Sequence, residues 1–174
     1  MFRVYFARLL LLVAVIVGIV LLIGTCLPRS FNVRQSIVID APPQLVYAQL
    51  ADLSQWLKWS PWSQFPAEVE STSDRQGETR TALVWQDPRG DGRLWLTALE
   101  PDRSVDYRMD FGGFRDLAGR ISLSPRQPTR VTWTIDGALP AGPFYGYFRL
   151  FFHREMERQM ALSLARLQTL VAEQ

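Results

Sequence analysis

The sequence predicts an α+β fold, an antiparallel sheet wrapped around a long C-terminal helix, preceded by one N-terminal transmembrane helix. Three patterns carry this reading. An uncharged apolar run opens the chain, several short segments alternate apolar with polar residues, and an apolar stripe of helical period closes it over more than twenty residues. The 174 residues suit one domain with an appendage, and 48% hydrophobic with 21% charged residues is an ordinary globular composition.

The opening run, "MFRVYFARLLLLVAVIVGIVLLIGTCLPRS", holds no charge from Leu9 to Leu27, and thirteen of the fifteen residues Leu9 to Ile23 are Leu, Ile or Val. At about −0.3 to −0.6 kcal/mol per residue near a bilayer centre, such a run inserts by several kcal/mol. Residues 9–27 rise about 28 Å as a helix, close to the roughly 30 Å of a hydrocarbon core. Pro28 then stops the helix and Arg29 marks the interface. A cleaved signal peptide is the first rival, but no A-x-A site follows the run. A lipoprotein cut before Cys26 is the second, and Thr25 is bulkier than the small residue expected there. An uncleaved anchor over 1–29 and a domain over 30–174 is the division we expect. Arg3, Arg8 and the N-terminal amine before the span, against Arg29 and Arg34 after it, lean by about one charge toward an extracytoplasmic domain.

In the domain, "FNVRQSIVID" alternates, with Val33, Ile37 and Ile39 on one side, and reads as the first strand. "APPQLVYAQLADL" follows as a helix with Pro42 and Pro43 in its first turn; Val46, Leu50, Leu53 and Leu57 form its stripe. Ser54 is placed to cap a second short turn through Trp56 and Trp59, and Pro61 ends the helical region at Ser60. A meander comes next: a weak edge strand at "EVEST", then "TRTALVWQ" and "RLWLTALEP" paired across the charged turn "DPRGDG". "SVDYRMDF" puts Val105, Tyr107, Met109 and Phe111 on one face. "LAGRISL" and "TRVTWTID" complete the sheet, the last with Val131, Trp133 and Ile135 aligned. The final helix, from about Phe144 or Tyr147 to Ala172, carries the stripe Phe148, Phe152, Met156, Met160, Leu164, Leu167 and Val171. A helix this long must lie across a broad sheet to bury that stripe.

The totals exclude several functions. Net charge is +2, with one Lys (Lys58) among nineteen Lys and Arg, and no basic run, so nucleic acid is not an expected partner. One Cys and one His exclude an internal disulfide framework and a Cys/His zinc cluster. No nucleophile-elbow, HExxH or phosphate-cradle motif is present, so we expect no metal, no cofactor and no catalytic constellation. His153 reads as boundary packing and Asp110 and Asp136 as turn-stabilising carboxylates; the sharper alternatives are a lone base and carboxylates at a pocket rim.

"SQWLKWSPWSQF" concentrates Trp56, Trp59 and Trp62, half of the six tryptophans, around Pro61. Pro61 is expected to turn the chain so that Trp62 packs on the sheet, while Trp56 or Trp59 closes one end of a cavity. Tyr107, Phe111 and Trp133 share a face with aliphatic neighbours and fit either core or pocket wall. With Tyr145 and Phe148 they complete the expected ligand-binding set; the Tyr107 and Tyr145 hydroxyls would orient a ligand.

The order strand, helix pair, meander and long final helix is that of the helix-grip, START-like fold. "RQSIVIDAPPQLVYAQLADLSQWLKWSPW" resembles the opening of polyketide cyclase/dehydrase-type SRPBCC proteins, with their strand ending in I-x-A-P and their W-x-x-W-S-P-W motif. "YRMDFGG", "TRVTWTIDGAL" and "LARLQTLVAE" resemble later segments of that family, and many bacterial members carry a similar N-terminal span. Two departures stand out. The last helix lacks the glycine-proline break common in the family, so it should run on, and the "DPRGDGR" loop is unusually charged. The resemblance implies a cavity between sheet and helix for a hydrophobic small molecule or lipid, in a protein held in a bacterial membrane by residues 9–27. A cyclase or hydratase using Tyr107, Asp136 or His153, and a non-catalytic interaction module, are the alternatives.

Overall fold

The computed structural model describes residues 2–73, 79–88, 90–140 and 142–174, with the side chains at 2–4, 7, 73, 146 and 148–151 outside the described set. Helix α1 (Phe2–Cys26) exposes Leu, Ile and Val on all sides, and Arg8–Cys26 within it is long and apolar enough to cross a membrane, at a mean hydropathy of 3.1. Only Leu27, Pro28 and Arg29 separate it from strand β1 (Ser30–Ile39).

Pro42 and Pro43 open helix α2 (Pro43–Ala51), as the missing donors allow. The stripe Val46, Leu50, Leu53 and Leu57 then runs across a break. Asp52 is extended, and helix α3 (Leu53–Trp59) starts beyond it. Its cap is Asp52, not Ser54: the carboxylate accepts the Ser54 N–H at 2.8 Å, which an N-cap side chain reaches two residues ahead. That bond holds the Asp52 carboxyl below its ordinary range. Pro61 ends α3, yet the chain continues as a 3₁₀ turn (Pro61–Gln64), because proline costs no hydrogen bond at a first helical position. The helical region therefore extends past Ser60, and it carries Trp62 with it.

Strands β2 (Ala67–Ser73), β3 (Thr79–Trp85), β4 (Gly92–Glu100), β5 (Ser104–Phe111), β6 (Phe114–Leu123) and β7 (Thr129–Ala138) follow. With β1 they form one antiparallel sheet in the order β1-β7-β6-β5-β4-β3-β2. The chain thus crosses from β1 to the far edge through α2 and α3, and meanders back. The 28-residue helix α4 (Tyr145–Ala172) runs about 42 Å without a break, as the absence of an internal glycine-proline pair implies. Met160, Leu164, Leu167 and Val171 are buried under it. It also covers the free edge of β1: Gln168 donates to the Val38 carbonyl at 3.1 Å, and His153 Nε2 lies 3.2 Å from the Asn32 carbonyl. This is a helix-grip α+β fold.

Two glycines shape the inner face of the sheet. A Cβ at Gly92 would strike the Trp85 ring, and one at Gly119, opposite Tyr107 in the register, would strike the Tyr107 ring. Each ring lies flat in a notch that only glycine leaves open. Gly119→Ala is therefore expected to lift Tyr107 and destabilise the fold by about 1–3 kcal/mol, read as a lower denaturant midpoint at unchanged slope.

Candidate functional site

Six of the sequence-predicted residues come from four elements that converge inside the sheet. Trp56 and Trp59 stand at i and i+3 on α3 and share its buried face. Trp62 rides on the 3₁₀ turn, while Tyr107 and Phe111 come from β5 and Trp133 from β7. Five of these meet ring on ring and are buried: Trp56, Trp59, Trp62, Tyr107 and Trp133. Trp56 is 4.9 Å from Trp59, stacks on Trp62 at 5.9 Å and meets Tyr107 edge-on at 5.3 Å. Trp59 meets Trp133 edge-on at 5.7 Å. These offset and perpendicular arrangements suit the ring quadrupoles.

Sequence reasoning missed Trp85. It is fully buried and extends the cluster, 5.1 Å from Trp62 and 5.9 Å from Phe111. The available signal was Trp85 two residues after Leu83, on the same face of a strand that pairs with one opening at a glycine. Also missed was a second aromatic group at the other end of α4, where Phe152 stacks on Phe114 at 4.9 Å and meets Phe31 edge-on at 5.1 Å. Tyr145 stands apart from both groups, at the first residue of α4, with over a third of its surface exposed. The Phe148 side chain lies outside the described residues.

Polar atoms in the cluster are few. Trp56 Nε1 donates to the Leu50 carbonyl at 2.9 Å, Trp59 Nε1 to the Gln49 carbonyl at 3.3 Å and Trp133 Nε1 to the Tyr107 hydroxyl at 2.7 Å. Trp85 Nε1 is buried with no hydrogen-bond partner. Burial pushes the Tyr107 hydroxyl well above the ordinary phenol range, against a smaller opposing effect of the Trp133 bond. It therefore stays protonated at neutral pH and is closed off by rings, which suits it poorly to acid–base work.

Two clefts lie elsewhere. One of about 580 Å³ opens between β1 and α4, lined by Phe31, Asn32, Asp136, His153, Arg154 and Glu157 among others. Asp136 accepts a bond from Asn32 at 2.6 Å, and His153 Nδ1 is 3.6 Å from Glu157. Another, of about 280 Å³, lies by the "DPRGDG" turn, where Arg93 pairs with Asp110 at 3.1 Å and Asp110 accepts the Asp116 N–H at 2.8 Å. Asp110 thus ties a turn to the sheet. No tryptophan lines either cleft, and no group of three or more His, Cys, Asp or Glu suited to a metal occurs among the described residues.

Two measurements follow from this packing. Trp62→Ala should cost about 3–5 kcal/mol, the range for an aromatic deleted from a core. For Tyr107, the folded hydroxyl keeps its proton where the unfolded one loses it. Stability is then fully present below about pH 10 and falls as pH rises beyond it. Tyr107→Phe should flatten that alkaline slope by one proton, while leaving Trp133 Nε1 unpaired at a cost of about 1–3 kcal/mol.

No curated protein matches the chain. Solved structures match in fold. A protein from Thermus thermophilus is 23% identical with a TM-score of 0.59, over 82% of this chain and 98% of that one. One from Staphylococcus aureus is 12% identical with a TM-score of 0.66, over 84% and 96%. The di-domain ARO/CYC protein BexL, from the BE-7585A biosynthetic pathway, is 14% identical with a TM-score of 0.59, over 80% of this chain and 49% of that one. The family described as polyketide cyclase/dehydrase and lipid transport matches residues 30–172, from the first residue of β1 to the last of α4. With that match over the whole sheet and grip helix, the chain belongs to the polyketide cyclase/dehydrase and lipid transport family, a branch of the START-like SRPBCC proteins.

Proposed function

We propose that the chain is a membrane-anchored START-like domain that binds a hydrophobic small molecule or lipid without strong catalytic activity. Residues 1–29 form the anchor and residues 30–174 the binding domain. The observation that carries the binding reading is Trp85 Nε1, a buried donor with no partner in a cluster where the Trp56, Trp59 and Trp133 nitrogens are each paired. Such a donor costs about 1–3 kcal/mol until something pairs with it. An apolar ligand bearing one acceptor oxygen supplies both halves of what this wall lacks, which is how small-molecule sites are usually composed. Entry requires Trp62 to part from Trp85. Trp62 is 7% exposed, where Trp56, Trp59, Trp85 and Trp133 are fully enclosed. The wall we propose runs from Trp56, Trp59, Trp62, Tyr107 and Trp133 through Phe111 toward Phe148 on α4, and leaves out Tyr145, which stands apart from both aromatic groups. α1 would keep this domain at the bilayer, where such ligands reside, on the extracytoplasmic side.

A second reading, a cyclase-like enzyme acting on a hydrophobic or aromatic substrate, has one observation in its favour. Asp136, His153 and Glu157 share the wall of the cleft of about 580 Å³ with Phe31. Product formation from an aromatic polyketide analogue would move the weight to that reading.

The test uses Trp85→Phe, which keeps a ring in place and removes the donor. The domain over residues 30–174 is titrated with oleate while tryptophan emission is followed. Saturable binding is expected, weakened about fivefold to tenfold in Trp85→Phe by the loss of one hydrogen bond, with unliganded stability nearly unchanged. Absence of saturable binding in the parent domain would sink the proposal.

A further inference from the structure

The start of α4 is the part of the domain that the sheet does not explain. Residues 142–152 read "GPFYGYFRLFF", with six aromatics, one base and no acid. Among the described side chains, Phe144 is 70% exposed, and Tyr145 and Tyr147 are 37% exposed each. A soluble domain has no use for such a cluster in water. Its neighbour is α1. The Tyr147 hydroxyl donates to the Val20 carbonyl at 2.8 Å, and Gly24 leaves room for the Pro143 carbonyl and the Tyr147 ring, which a Cβ would strike. This first turn therefore packs against residues 20–24 of α1, within the uncharged stretch Leu9 to Leu27. Val20 lies six residues before Cys26, about 9 Å along the helix axis. The Tyr147 hydroxyl therefore reaches the apolar span from its Cys26 end, the end at which hydrocarbon gives way to the interface.

We infer that the first turn of α4, through Phe144, Tyr145 and Tyr147, is a second membrane contact that lies in the bilayer interface beside α1. The inference rests on the anchor reading of α1. Tyrosine suits this level because its ring is apolar and its hydroxyl is polar, and such residues gather at membrane interfaces. No acidic residue stands in the first turn of α4 to oppose insertion. Two attachments, with three residues between α1 and β1, fix the orientation of the domain on the membrane. The end of the sheet carrying Ser30 and Ala138 is held toward the lipid, and with it the cleft lined by Ser30, Phe31 and His153. The opposite turn, at Ser124 to Pro128, is held away from it.

The full chain carrying Cys26→Ser tests this, with one new cysteine at either Phe144→Cys or the exposed turn position Arg126→Cys. Each is labelled with a polarity-sensitive fluorophore and reconstituted in phosphatidylcholine vesicles that contain a lipid with a doxyl quencher near the headgroups. The expected result is retention of both chains after an alkaline carbonate wash, with several-fold stronger lipid quenching and bluer emission at position 144 than at 126. Retention with position 144 quenched by aqueous iodide as readily as 126 overturns this inference and leaves the anchor standing. Retention with position 144 shielded from both quenchers also overturns it, because a protein surface then covers the turn. Release of the chain by the wash overturns both the anchor and the inference.

Discussion

The hydrogen bond from Trp133 Nε1 to the Tyr107 hydroxyl, 2.7 Å long and wholly buried, joins β7 to β5 across β6. The rest of the interior is arranged around that pair. Tyr107 reaches it only because Gly119 on β6 has no side chain, so the ring lies flat on the intervening strand. Trp56 then stands edge-on to both rings, Trp59 edge-on to Trp133, and Trp62 edge-on to Tyr107. α3 and the 3₁₀ turn are short, seven and four residues, and isolated helices of that length are unstable in water. They persist because each contributes large rings to this junction, worth about 0.5–1.5 kcal/mol per ring pair beyond the area buried.

The two ends of α4 are built for different work. Its C-terminal half carries Met160, Leu164, Leu167 and Val171 into the core. Its N-terminal half reaches the start of β1, where His153 meets the Asn32 carbonyl, and then α1, which Tyr147 meets. The absence of a break lets one rigid element couple the core to the apolar helix. Any tilt of α1 in a bilayer would be felt along the same rod that closes the sheet.

Among the buried ring nitrogens of the aromatic cluster one breaks the pattern of pairing, and Ser60 Oγ and Gln49 Oε1 are also buried without a partner. Three tryptophan nitrogens have acceptors, and Trp85 Nε1 has none. Natural folds tend to break local rules at functional positions and offset the cost elsewhere. Here the surrounding ring contacts provide the offset, and the unpaired donor stands where the binding reading needs a polar handle.

The sequence by itself determined the layers. Period-two alternation in β1, β5 and β7 and the helical stripe of α4 follow from backbone geometry, so Val33, Tyr107, Trp133 and Leu164 were legible as inward-facing. The family was legible because its opening motif survives almost intact around Trp56, Trp59 and Trp62. Local chemistry was less so: the sequence alone points to Ser54 as the cap, and the extended backbone at Asp52 gives that role to Asp52 instead. What the tertiary structure alone decided is who touches whom. Trp85 and Gly92, or Tyr107 and Gly119, are neighbours through strand register, and His153 meets Asn32 across 121 positions of chain. Periodicity assigns a residue to a face. Contacts between distant segments depend on register, twist and crossover, which no window of sequence contains, and the candidate site is made of such contacts.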